Sequence, residues 1–154
     1  RGSSGVRGIR LKPNDYVVSM SLIPNLENRF ILSVTENGFG KRTPIDDYRM
    51  TNRGGQGVAN IECSARNGPV VASYVASEDD QIMLVTNSGK LIRIRVHGGE
   101  GDSIRVAGRK TQGVRLFDVE EGEKVVSVAL LSENEDEQDE ENSEDFVENK
   151  NDGK

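Results

Sequence analysis

A single cysteine, a single histidine and no long apolar run mark this 154-residue sequence. With Cys63 alone, the chain forms no internal disulfide and holds no cysteine-based metal centre, a usage that suits a reducing compartment. With His97 alone, a Ser-His-Asp or Cys-His arrangement would hang on one residue without supporting context. Beside Gly98 and Gly99, His97 reads as a solvent-exposed loop residue. No apolar stretch approaches the length of about 20 residues that a membrane-spanning helix needs, and there is no secretory signal pattern. Aromatic residues are few, four Phe and three Tyr, and most lie within or beside apolar runs. That disfavours binding of single strands by base stacking. The glycine-rich stretches "GGQG", "GGEG" and "GFG" lack the Lys-Ser/Thr that completes a phosphate-binding loop and the strand–helix setting of a dinucleotide site, which excludes nucleotide hydrolysis from this segment. The paired acids Asp46-Asp47 and Glu78-Asp79-Asp80 sit in polar, turn-like stretches and read as solvated turns.

Charge is plentiful but unevenly placed. Residues 132–154 carry eleven acids and two lysines, a net of −9 within a chain total of −6. Residues 1–131 therefore hold 18 basic and 15 acidic side chains, a mildly basic body of +3. Such a body suits contact with nucleic acid. The tail has almost no apolar residues to offset the entropy of ordering and reads as disordered.

The body repeats itself. "GVRGIRL" (5–11), "GGQGVANI" (54–61) and "KTQGVRLF" (110–117) resemble one another, with Gly8, Gly57 and Gly113 spaced by 49 and 56 residues. "YVVSMSLI" (16–23), "PVVASYVA" (69–76) and "KVVSVALL" (124–131) recur at offsets of 53 and 55, and "FILSVTENGFGKRT" (30–43) matches "QIMLVTNSGKLIR" (81–93) at 51. Three markers in the same order define units starting near residues 5, 54 and 110. Each unit reads as strands. "RFILSVT" and "QIMLVT" are short β-branched runs expected to be buried on both faces. Asn37-Gly38 and Ser88-Gly89 supply hairpin-turn chemistry. In "KLIRIRV", Ile92, Ile94 and Val96 point one way and Leu91, Arg93 and Arg95 the other. The nearest helix candidate, "IDDYRM", is too short to stand alone. Four strands per unit of about fifty residues make a propeller-like blade, so residues 1–131 hold roughly two and a half blades. The fold class is all-β, propeller-like repeats followed by a disordered acidic tail.

Cations recur at matched places: Arg7 and Arg10 around Gly8, Arg49 and Arg53 before Gly54-Gly55, and Arg109, Lys110 and Arg115 around Gly113. Lys41 and Arg42 follow one hairpin turn, and Lys90, Arg93 and Arg95 follow the next. In a blade array, equivalent positions lie at equivalent places on the rim, and cations there would form a curved track for a bent polyanion held through its phosphates. Arginine offers a bidentate fork. Neighbouring turn glycines (Gly8, Gly38, Gly54, Gly55, Gly57, Gly89 and Gly113) permit close backbone approach.

"GVRGIRL", "VTENGFGKRTPIDDYR", "NRGGQGVANI", "LVTNSGKLIRIRV" and "GRKTQGVRLFDVEEGEKVVSVA" resemble the C-terminal domain of the bacterial DNA gyrase A protein, over essentially all of residues 5–131. The resemblance implies a β-pinwheel, a propeller variant whose blades exchange strands. It also implies a rim that wraps duplex DNA so that ATP-driven strand passage introduces negative supercoils. The chain would form the last part of that domain. ATP and Mg²⁺ are implied for the parent heterotetramer of gyrase A and B subunits, with no cofactor in this segment and the catalytic residues elsewhere; a cytoplasmic, nucleoid-associated setting follows. Tyr16, Tyr48 and Tyr74 do not match the cleaving tyrosine's context. "TNRGGQG" matches the family's Gln-Arg-Arg-Gly-Gly-Lys/Arg-Gly box at Arg53, Gly54, Gly55 and Gly57 but departs at Thr51, Asn52 and Gln56, which makes it a degenerate copy. Two alternatives stand beside this reading: the corresponding C-terminal domain of topoisomerase IV, and a propeller fragment that binds a protein.

Overall fold

The computed structural model describes residues 2–23, 28–98 and 103–132. The acidic tail beyond Ser132 lies outside the described residues. Seven strands run β1 (Phe30–Thr35), β2 (Phe39–Pro44), β3 (Val70–Ala76), β4 (Gln81–Thr86), β5 (Leu91–Arg95), β6 (Val114–Arg115) and β7 (Val125–Leu131). The one helical element among the described residues is a single 3₁₀ turn, Ile45–Asp47, inside the stretch judged too short for a helix.

The strands make two antiparallel sheets, ordered β3-β1-β2-β6 and β5-β4-β7. Each is built on a hairpin. The first loop is Glu36–Gly38; in the second, Asn87–Lys90, the Thr86 N–H bonds the Lys90 carbonyl and so closes the turn around Asn87–Gly89, and in each loop only the glycine takes a positive φ, 75° at Gly38 and 85° at Gly89. This is the turn with a left-handed closing residue rather than a two-residue loop. To each hairpin is added the Val-Val strand of the following unit: β3 pairs with β1 through Ser33↔Ser73, and β7 pairs with β4 through Leu84↔Val128. The first sheet takes its fourth strand from the unit after that, β6 pairing through Gly40↔Val114. One sheet therefore draws on three repeats.

Period-2 patterning sets the packing. Leu32, Val34, Ala72 and Ala76 of the first sheet face Ile82, Leu84 and Val128 of the second, and Val96, Ile104 and Val125 complete one buried cluster. β1 is buried on both faces as expected, Ser33 and Thr35 included, but β4 alternates, with Ile82, Leu84 and Thr86 buried and Gln81, Met83 and Val85 partly exposed. The other side of the first sheet is covered by loops, whereas the outer side of the second is exposed at Leu91, Arg93 and Arg95.

The strand expected at residues 16–23 does not form. Its counterparts β3 and β7 each pair with the hairpin one step earlier in the chain, and no such hairpin precedes residue 16 among the described residues. Tyr16, Val17, Met20 and Leu22 are accordingly exposed.

Candidate nucleic-acid interface

The three glycine-rich boxes lie side by side. Arg10 N–H donates to the Gly55 carbonyl and Gly54 N–H to the Gly8 carbonyl, both at 2.7 Å. These bonds flank a parallel bridge between Ile9 and Gly55. The continuation of the second box meets the third. Glu62 N–H donates to the Thr111 carbonyl at 3.0 Å, and the Arg109 guanidinium to the Ala59 carbonyl at 3.1 Å. The Asn67 amide joins Glu62 to Gln112. This adjacency brings the segments that carry Arg7, Arg10, Arg53, Arg109 and Lys110 side by side. None of the five forms an ion pair among the described residues, and all but half-buried Arg109 are exposed. Arg109 also lies over the Tyr48 ring, 5.8 Å from its centroid, next to exposed Arg49.

Backbone geometry is matched between the second and third boxes. Gly57 and Gly113 both have φ +77°. At Gly113 a Cβ would stand 2.6 Å from the Gly40 carbonyl oxygen, so only glycine lets β6 lie against β2 there. Gly54 shares the positive φ, but Gly8 and Gly55 do not.

Two of the expected rim cations are interior. Lys41 is 0% exposed, and its ammonium donates to the carbonyls of Asn60 (2.8 Å), Gly108 (2.6 Å) and Arg109 (2.9 Å) and to the Thr111 hydroxyl (3.3 Å). Burial pushes this ammonium below the ordinary lysine range, Arg109 adds to the push and Asp47 opposes it. Arg42 is 5% exposed. Its Nε donates to the Ile104 carbonyl at 2.8 Å, one terminal nitrogen meets Glu78 at 3.4 Å and the other His97 Nδ1 at 3.2 Å. The group also stacks over Phe30. Both residues are therefore corrected from outer-edge cations to internal donors. A strand buried on both faces turns every side chain inward; backbone carbonyls ring Lys41, while Arg42 is met by one carbonyl, the Glu78 carboxylate and His97, and this makes their burial tolerable.

The remaining expected cations divide by partner. Lys90 is held by Glu120 and Glu123 at 2.7 and 3.0 Å, which raises its pKa. Glu123 is itself lowered to about 2, first by the Glu120 backbone N–H and then by the Ser88 and Thr86 hydroxyls. Arg115 pairs with Asp118 at 2.5 Å and lies over Phe39. Arg93 and Arg95 are exposed on the outer face of the second sheet, with Arg93 donating to Gln81 at 2.7 Å. Exposed Arg105 is a further cation that the sequence expectation missed. Aligning Gly57 with Gly113 sets Arg49 and Arg53 over Arg105 and Arg109, so the repeat itself carried the signal.

Antiparallel sheets completed by strands from later repeats, with cationic boxes bonded edge to edge, define a strand-exchanging propeller class. The sequence matches the DNA gyrase C-terminal domain family, a beta-propeller, over residues 1–24, 29–68 and 80–132; the chain belongs to that family. It is 35% identical to the DNA gyrase A protein of Rickettsia bellii over 91% of its own length and 20% of the relative's. It is 43% identical to that of Neisseria gonorrhoeae over 89% and 15%. The chain thus spans a fifth or less of these relatives. Among solved structures, a DNA topoisomerase IV C-terminal domain superposes with TM-score 0.71 at 31% identity, over 82% of this chain and 38% of that one. A DNA gyrase A C-terminal domain does so with TM-score 0.68 at 30%, over 86% and 43%.

Proposed function

We propose that this chain binds duplex DNA through its phosphates, along the adjacent segments that carry Arg7, Arg10, Arg53, Arg109 and Lys110, with Arg49 and Arg105 beside them. As part of a gyrase A protein, it would wrap the duplex that an ATP-dependent type II topoisomerase passes to introduce negative supercoils. The observation that carries this reading is the hydrogen bonding of one box to the next, which puts on adjacent segments cations that form no ion pair among the described residues. Phosphate contacts of this kind give affinity without base readout and make binding steeply salt-dependent. No reaction is assigned to the segment. The ATP and Mg²⁺ chemistry, the partner subunits and the cytoplasmic setting belong to the proposed parent complex.

Salt-titrated binding to a short duplex tests the reading. Replacing Arg7, Arg10 and Arg53 with Gln is expected to lower the slope of log K against log salt by about 3, equally for unrelated sequences. A wild-type slope near zero would overturn DNA binding in favour of a protein-docking propeller. The double variant Arg93→Gln/Arg95→Gln asks whether the track extends onto the second sheet. A fall of about 2 places that face on the duplex, and an unchanged slope removes both residues from it.

The tail's −9 against a body of +3 further supports competition between tail and DNA for the same cations. Deleting residues 132–154 is expected to raise affinity most at low salt, where screening is weakest. Equal affinities of the two chains there would refute the competition. A topoisomerase IV parent is the alternative, supported by the likeness in fold, and supercoiling activity of the assembled enzyme separates the two.

A further inference from the structure

Three consecutive residues of β2 hold the segment that carries Arg105, Arg109 and Lys110. Arg42 donates from Nε to the Ile104 carbonyl and from its backbone N–H to the Arg105 carbonyl at 3.0 Å. Thr43 Oγ1 donates to the Ala107 carbonyl at 2.6 Å. The Lys41 ammonium takes the Gly108 and Arg109 carbonyls and the Thr111 hydroxyl, while also bonding the Asn60 carbonyl of the second box. Five carbonyls between residues 104 and 109 thus accept from Lys41, Arg42 and Thr43. Of these three residues, Lys41 is the one that also reaches the second box.

A fully buried ammonium ringed by carbonyls, with no carboxylate bonded to it, is costly to desolvate. An apolar side chain would avoid that cost, and the equivalent place in the second sheet is Ile92. What lysine supplies is three directed donors at one point. They fix the turn 108–111 against the strand, which sets where Arg109 and Lys110 emerge. The Thr111 hydroxyl reinforces the same turn by donating to the Gly108 carbonyl at 2.9 Å.

We propose that Lys41 is a positioning residue for DNA binding: it never touches the duplex, but it holds the third box so that Arg105, Arg109 and Lys110 meet phosphates together with the second box. This rests on the proposed binding of DNA by the row of boxes.

The test is the salt slope of duplex binding by the full chain, compared among wild type, Lys41→Met, the triple variant Arg105→Gln/Arg109→Gln/Lys110→Gln and the two combined. A residue contacting one phosphate would lower the slope by about 0.9, and three displaced cations lower it by about 2.7. Lys41→Met is expected to show the larger fall, to match the triple variant, and to add nothing to it when combined. A fall of one or less in a chain that keeps its sheet circular dichroism would overturn the proposal, as would additive losses. Thr111→Val supplies an arm that removes no charge and covers the case in which Lys41→Met does not fold. Its slope is expected to fall by more than one, and a slope equal to wild type would overturn the proposal. A flat wild-type slope would instead sink the DNA reading itself, so the two failures are distinct.

Discussion

The two sheets share one register and differ in what fills it. The row Ser73-Ser33-Lys41 of the first sheet corresponds to Val128-Leu84-Ile92 of the second, and the next row on the same face, Val75-Ile31-Thr43, to Leu130-Ile82-Ile94. In the second sheet this face lies on the first sheet and is apolar. In the first sheet it lies on loops, and its polar side chains answer backbone groups. Ser33 and Ser73 bond each other at 2.9 Å, and the Asn60 amide donates to Ser33 at 2.7 Å. Tyr48 bonds Asn60 in turn. A sheet covering another sheet needs apolar area. A sheet covering irregular chain needs donors, because exposed backbone carbonyls would otherwise be buried unpaired.

Exchanging residues between the two rows tests this contrast. The largest effect is expected from Leu84→Ser, which gives the second sheet the first sheet's residue at a site of 0% exposure. The cavity and the unpartnered hydroxyl should cost about 3–5 kcal/mol in urea unfolding. A loss below about 1 kcal/mol would show that either chemistry suits either interface. Next comes the row on the opposite face, where Gly40 corresponds to Leu91. A Cβ at Gly40 would stand 2.6 Å from Leu116 and 2.8 Å from the Ser33 carbonyl oxygen, whereas Leu91 is 68% exposed. Gly40→Leu should destabilise by about 1–3 kcal/mol through overpacking. Leu91→Gly should cost about 1 kcal/mol or less, the backbone-entropy effect of an added glycine. Equal costs would deny the asymmetry.

The smallest effect separates the two hairpin loops. The first is held by the Asn37 amide, Nδ2 on the Ala65 and Arg66 carbonyls, and by the pairing of Glu36 with Lys124 at 3.0 Å, neither of which bonds a carboxylate to the strand-end hydroxyls. The second is held by Glu123 through Thr86 and Ser88. The folded Glu123 carboxyl titrates at about 2 against an ordinary 4.5. Its contribution is therefore complete above about pH 4.5 and lost as pH falls through about 2. Amide exchange at Gly89, measured relative to Gly38, should accelerate over that window. Glu123→Gln should remove this pH dependence, and parallel behaviour of the two amides in wild type would contradict it.

Much of the fold was legible because repeats and period-2 runs record it directly: both hairpins, the Val-Val strands and the alternation of Leu91 to Val96 follow from apolar spacing. The boxes' recurrence also marked Arg7, Arg10, Arg53 and Lys110, which the structure leaves exposed, and half-buried Arg109. Lys41 and Arg42 misled because a charged pair after a turn looks solvent-facing. The apolar run of β1 records its burial on both faces, but nothing local in β2 does, and the carbonyls that its buried donors meet come from residues 60 and 104–109, far along the chain. The unformed strand at 16–23 has the right pattern but, among the described residues, no hairpin one step earlier to pair with, a fact of pairing that pattern cannot carry.

Sharing strands across repeats has a consequence for how the molecule comes into being. Gly40 finds Val114 across more than seventy intervening residues, so the first sheet cannot be finished when its own hairpin leaves the ribosome. A nascent chain must hold that hairpin edge open until the start of the third unit has emerged, and the first sheet is expected to close only with the arrival of β6 rather than as a finished blade of its own.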